Sequence, residues 1–315
     1  MLTRRQIRVK VMQCIYALIH AKDESLENQE KFLEESIANM YALYLLILSL
    51  MVEVHAYEKD QQTRSKNSYL SKTSDQYPDK EKFINNSLLV QLATNELLKN
   101  ELSKRKLKHW YLNDEYVKLI HKALIESKAF DDYMKSATNS FEEDKQLVQL
   151  FFKDIIAPNE KIYDYFEDDK LTWVDDFPIV NTFLLKLLKK AKKDGKPSYF
   201  LPRLLKDKED MKFAKQLLSK TLLNNGEWEK EIEGKTPNWD KDRIADIDMI
   251  LLKMAICELL NFSSIPEKVT INEFLEIAKE YSTPKSSIFI NGILDKLVRE
   301  YKAEGKLKKA GRGLL

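Results

Sequence analysis

The chain has 315 residues, enough for one large domain or two ordinary ones, and 43% hydrophobic with 32% charged residues is the balance of a globular protein with solvated faces. A formal net charge of +2 excludes a chain that binds nucleic acid through bulk charge, so any such activity must reside in a local patch. Only seven residues are glycine, the first of them Gly195. The first 194 residues therefore hold no phosphate-binding loop or dinucleotide fingerprint, and abundant helix formers predict an all-α protein.

In chain order, the first helix is expected over 3–21, capped by Thr3, with Lys22, Asp23 and Glu24 beyond its end. Its start resembles a signal peptide, but Arg8, Lys10 and Gln13 interrupt the apolar core such a leader needs. A second helix is expected over 26–62. Its run Met40–Val52 is the longest apolar stretch and falls short of the roughly 20 residues of a membrane span, so it reads as a buried helix and the chain as cytoplasmic, without a membrane partner. Residues 63–86 read as an exposed connection. Helical patterns follow at 80–108, 113–126, 141–156 and 174–193, punctuated by Pro158 and Pro178. Residues 189–205, with Gly195, Pro197 and Pro202, carry the clearest linker signal.

The last third is the most sharply punctuated. A helix is expected over 207–224. Asp240 precedes another with Ile244, Ile247, Leu251, Met254 and Leu259 at helical spacing. Pro266 is expected to stop continuation, and Thr270 with Glu273 to form a capping box opening the next helix. Thr283 as cap and Pro284 at the first position are expected to open the last helix. In that helix Asn291 and Gly292 interrupt an apolar run. An interior glycine costs roughly 1 kcal/mol against alanine, which predicts close packing in the core. The basic tail is expected to be flexible.

Catalytic spacing is lacking. His20, His55, His109 and His121 are scattered, with no nucleophile or metal-binding pattern around them. No cofactor motif or Cys/His metal spacing occurs, and Cys14 and Cys257 sit in apolar helical patterns as buried free thiols of a reducing compartment. On the first helix, Ile7, Val11, Cys14 and Leu18 share the face expected to meet the core. Arg4 and Arg8 flank it. Arg5, Met12 and Tyr16 lie towards the opposite side, where an arginine offers a phosphate contact and a ring offers a stacking platform. The alternative is a helix buried on both faces, with its arginines at the rim. A second basic-aromatic run spans Lys104–Tyr111, and it too fits either a single strand or a solvated helix end.

These motifs carry a resemblance. D-K-D-R-I-x-x-I-D-x-x-L-L-K-M-A-I-x-E-L-L, then I-P-x-K-V-x-I-N-E, L-E-I-A-K and F-I-N-G-I-L-D-K, resemble the C-terminal signature of the NusB family of bacterial transcription antitermination factors. R-R-x-I-R-x-K-x-x-Q-x-I-Y resembles that family's arginine-rich first helix. The resemblance implies two packed helical bundles and no catalysis. It implies binding of boxA-type nascent RNA with a NusE-type ribosomal protein of the small subunit, on the transcription elongation complex. Whether the free chain forms a homodimer stays open. The implied RNA-facing residues are Arg4, Arg5, Arg8 and Tyr16. Asn291 and Gly292 match the signature's N-G pair, read here as packing residues. Many relatives carry an acid in the turn before F-x-N-G, where this chain has Lys285 and Ser286, a partner-facing turn of altered charge.

The implied division is a first helix (1–22), a helical insertion (23–205), the rest of the core (206–302) and a flexible basic tail (303–315). A helical interaction scaffold without RNA binding is the second reading. A module docking an RNA methyltransferase is the third, and it is disfavoured by the glycine-free first 194 residues.

Overall fold

The computed structural model describes residues 2–21, 25–66, 77–233, 235 and 244–310. Helices and no strand occur among them: α1 (Arg4–Ala21), α2 (Leu26–Lys66), α3 (Ser87–Ala93), α4 (Glu96–Lys104), α5 (His109–Leu112), α6 (Asp114–Ile125), α7 (Lys128–Lys135), α8 (Phe141–Leu150), α9 (Glu160–Asp169), α10 (Trp173–Lys189), α11 (Lys208–Leu223), α12 (Asn225–Glu233), α13 (Asp246–Asn261), α14 (Glu267–Tyr281) and α15 (Ser286–Ala303). The chain divides into two compact units. Unit 1 comprises residues 1–37 and 204–315, and unit 2 comprises 38–203. The first twelve residues of α2 thus belong to unit 1, rather than to an insertion beginning at 23.

In unit 1, α13 is the central element. Its residues from Ile250 to Leu259 are all buried, and it packs against α1, α11, α12, α14 and α15. Ile7, Val11 and Cys14 of α1 meet this core, as their spacing predicts. Each fully buried aliphatic side chain contributes about 1.5–3 kcal/mol relative to exposure. α1 opens with a reciprocal cap in which the Thr3 amide donates to Gln6 Oε1 (2.7 Å) and the Gln6 amide to Thr3 Oγ1 (3.4 Å). The tail differs from expectation over its first part. Lys309 Nζ donates to the carbonyls of Glu258 (3.2 Å) and Phe262 (3.0 Å), and the Ala310 amide to Ser263 O (2.9 Å). These bonds fasten the first part of the tail to the end of α13 and the turn that follows it.

In unit 2, α2 is buried at every position from Met40 to Met51. By length and composition α2 passes as a membrane span, yet 72% of its apolar window is buried within the protein, as in a core helix. Around it, Trp110 Nε1 donates to Leu46 O (2.9 Å) and Trp173 Nε1 to Asn39 O (2.8 Å). Phe200, within the stretch read as a linker, is buried, and its carbonyl accepts from Tyr44 Oη at 2.8 Å. The buried Lys82 Nζ donates to Tyr133 O (2.7 Å), Ser136 O (2.9 Å) and Glu143 Oε1 (3.2 Å), tying the segment before α3 to α7 and α8.

Several boundaries move. The helical pattern at 80–108 is two helices, because Asn86 and Asn95 each accept two amide hydrogen bonds as N-caps. α5, α7, α9 and α12 lie outside the predicted stretches. Pro178 does not punctuate but sits inside α10. The turn after α8 widens to i→i+5 bonding over Phe151–Ile156, with Ala157 N donating to Phe152 O at 2.8 Å. Asp240, the connection 22–24 and Arg312 of the tail lie outside the described residues.

Candidate nucleic-acid interface

The arginines of α1 stand in three different environments. Arg4 Nε pairs with Asp210 Oδ1 at 3.2 Å and lies 4.9 Å from the Phe213 ring centre. Arg5 makes a forked pair with Glu273, 3.0 Å at each arm, with Glu276 at 4.0 Å. The hydrogen bond to Glu273 is the first cause raising the Arg5 pKa. Both side chains stay partly open, 43% and 42% exposed. Arg8 is different. Only 2% exposed, it forks onto the fully buried Glu258 at 2.7 and 2.8 Å, between the rings of Phe213 and Phe274. Thr270 Oγ1 donates to the same carboxylate at 2.8 Å.

Magnitudes separate these groups. An exposed ion pair is worth about 0.2–1 kcal/mol, so a phosphate can displace Glu273 from the partly open Arg5 at small cost, whereas taking Arg4 from Asp210 leaves a carboxylate that is only 7% exposed and costs more. Breaking a buried pair by removing one partner costs about 3–5 kcal/mol. Arg8 is therefore the buried counterion of Glu258, 2% exposed, and this corrects the outward-facing position that the resemblance implied for it.

Tyr16 is 41% exposed, with its ring 4.3 Å from that of His20, which pairs with Asp246 at 3.5 Å. Eleven residues separate Tyr16 from Arg5, about 16 Å along the helix. Val9 and Met12 between them are buried. The structure thus leaves an open cationic end and an open aromatic end rather than one continuous strip. An apolar groove of about 700 Å³ runs beside the aromatic end, lined by Ile15, Leu18, Ile19, Leu222, Met249 and Ile250.

The α13–α15 motifs also change roles. Pro266 precedes α14 as its N-cap residue, so the helix starts four residues before the expected box. Thr270 and Glu273 then lie inside it at i, i+3 and share the face that holds Arg8 and Arg5. In the turn before α15, Ser282 and Ser286 donate to the two oxygens of the buried Asp248 at 2.6 and 2.7 Å. Ser286 is 2% exposed and faces inward rather than towards a partner, whereas Lys285 is exposed. α15 accordingly begins at Ser286, two residues beyond the predicted first position. Gly292 is not a packing residue. It is exposed, and a Cβ built there meets nothing within 4 Å. Asn291 Nδ2 donates to Asp295 Oδ2 at 3.1 Å.

Sequence reasoning missed Asp210, Glu258 and Glu273. For Glu258 there was a signal, a lone carboxylate inside an apolar helix, which requires a buried partner. No group of three or more His, Cys, Asp or Glu that could hold a metal occurs among the described residues.

The NusB family profile matches residues 183–299. The transcription antitermination protein NusB of Salinibacter ruber is 46% identical over 103 residues, 33% of this chain and 64% of the relative. That of Chloroherpeton thalassium is 44% identical over 103 residues, 33% of this chain and 49% of the relative. That of Finegoldia magna is 40% identical over 93 residues, 30% of this chain and 68% of the relative. The match thus spans less than two thirds of the first two relatives, and no solved structure matches. With the signature motifs in order along α13 to α15 and a relative matched over more than two thirds of its length, the chain belongs to the NusB family.

Proposed function

We propose that this chain is a non-catalytic, cytoplasmic transcription antitermination factor that binds boxA-type RNA together with a NusE-type ribosomal protein on the elongation complex. The observation that carries the reading is the match of residues 183–299 to the family, joined to an α1 that presents half-open arginines. Arg4 and Arg5 supply phosphate contacts by exchanging a carboxylate for a phosphate. Tyr16 supplies the stacking ring. Arg8 holds α1 against α13 and α14 so that this end is rigid before RNA arrives.

The partner's face is the open strip of α15. Lys285, Ile288 (75% exposed) and Gly292 recur at helical spacing there, and the missing side chain at Gly292 admits a neighbouring backbone. The same strip serves a second copy if the free chain dimerises, which sedimentation velocity reads directly.

One observation favours the second reading, a scaffold without RNA binding: every arginine at the start of α1 already has a carboxylate partner. Fluorescence anisotropy with boxA-like and scrambled RNA, with and without the NusE-type protein, decides between them. Sequence preference strengthened by the partner supports antitermination. Binding blind to both sequence and partner, or none, leaves the scaffold.

A further inference from the structure

We propose that unit 2 carries its own contact for single-stranded RNA, formed by Lys104, Lys106, Lys108 and Tyr111 in the connection from α4 to α5. This goes beyond the antitermination reading, which concerns unit 1.

The strongest observation is backbone strain. α4 ends in a two-bond cap, with Leu107 N donating to Leu102 O (3.0 Å) and Lys106 N to Ser103 O (3.0 Å). This cap places Lys106 in the left-handed region, φ 56°, as the one non-glycine residue found there among the described residues. α15 ends in the same cap, Lys306 N to Tyr301 O and Gly305 N to Lys302 O, and there the left-handed residue is Gly305, φ 67°. Glycine adopts this conformation without the steric cost a side chain brings. Stability alone would select glycine at 106; the chain holds a cation there instead.

The surroundings fit a ligand of phosphates and bases. Residues 99–112 contain five basic residues and a single acid, Glu101, which Arg105 engages at 3.2 Å. Lys104, Lys106 and Lys108 are exposed and have no carboxylate partner among the described residues, whereas Lys99 and Lys118 on the flanking helices each have one. Lys108 is the N-cap of α5 and Tyr111 the third residue of that one-turn helix, so cation and ring lie three positions apart at one end of the connection. Tyr111 is 85% exposed and Leu112 72%. Of the nearby acids, Asp114 pairs with Lys118, and the Asp169 carboxylate lies 3.4 Å from His109 Nε2; Asp169 and Glu115 are opposing charges at this face.

The platform is also rigid. Trp110, next to Tyr111, is buried and anchored to Leu46 O and Ser49 Oγ. Asn113 Nδ2 donates to His109 O (2.9 Å) and Tyr165 Oη (3.0 Å). A fixed, open ring beside unpaired lysines binds single strands with little sequence preference, because every base has a stacking face.

The test titrates the full chain with fluorescein-labelled 12-mers of oligouridine and oligoadenine at several salt concentrations. Tyr111→Ala is expected to weaken both by at least about fivefold. Lys106→Gly is expected to keep or raise Tm while lowering the salt slope by about 0.7 in log–log units. Ultraviolet cross-linking of bromouridine oligomers is expected to label the peptide containing Tyr111. If both variants fold and bind as the parent does, or if cross-links fall only within unit 1, the proposal is overturned; a protein partner at this face would give that result. A chain without boxA preference whose oligouridine binding still drops in Tyr111→Ala sinks the antitermination reading and leaves this one standing.

Discussion

Arg5 and Arg8 differ by three positions on one helix and by almost everything else. Arg5 is open, and its counterion Glu273 retains Arg8 at 3.8 Å if Arg5 is removed. Arg5→Ala is therefore expected to leave the urea midpoint within the usual range of a surface change, while the salt slope of boxA-like RNA binding falls by about 0.7. An unchanged slope with an intact fold would remove α1 from the RNA surface. Arg8→Ala strands the buried Glu258 carboxylate and is expected to cost about 3–5 kcal/mol in urea unfolding. A loss below about 1 kcal/mol would mean that water reaches Glu258. The buried thiols give a second residue-scale expectation. Burial pushes Cys14 and Cys257 each up to about 12, so almost no thiolate exists at pH 8. A thiol reagent should label neither in the native protein and both in urea. Labelling of native protein at a rate independent of urea would overturn this.

Among the elements, what the sequence made legible is what local periodicity controls. The core face of α1 follows from apolar spacing, and the Thr3 cap from its own four residues. The role of Thr270 and Glu273 was hidden because i, i+3 spacing serves two purposes: it closes a capping box at a helix start, and it aligns two side chains inside a helix. Pro266 decides between them, since a fixed φ suits the position before the first turn. Likewise the counterions of α1 are 206 to 268 residues away in sequence, beyond any local pattern. Gly292 shows the converse, a conspicuous signal with a different cause. Its cost to the helix is real, yet nothing among the described residues presses on it. Gly292→Ala is therefore expected to stabilise unit 1 by about 1 kcal/mol in urea. If a partner backbone lies on that face, the same variant should bind the NusE-type protein more weakly. A stabilised variant with undiminished partner binding would move the partner face off α15.

At the scale of the whole molecule, each unit holds a buried polar group whose loss or protonation changes the stability of that unit. Unit 1 holds the Arg8–Glu258 pair. Unit 2 holds His55, which is buried, with Nε2 2.8 Å from Ile84 O. Burial, with the charge of Lys59 adding to it, lowers the His55 pKa against the opposing effect of that carbonyl. The unfolded chain takes up a proton near pH 6.5 that the folded unit resists. The contribution of His55 is therefore complete above pH 6.5 and declines as pH falls towards the folded pKa. α2 supplies residues to both units, but a helix that frays at one end keeps the turns packed at the other. Pulsed hydrogen exchange at increasing urea should then resolve two transitions. Arg8→Ala should shift the one read on α13 and α14 and spare the one read on Met40–Met51. Lowering the pH from 7.5 to 5.5 should shift the α2 transition in the parent chain more than in His55→Gln. A single transition that every change moves equally would mean that the two units unfold as one.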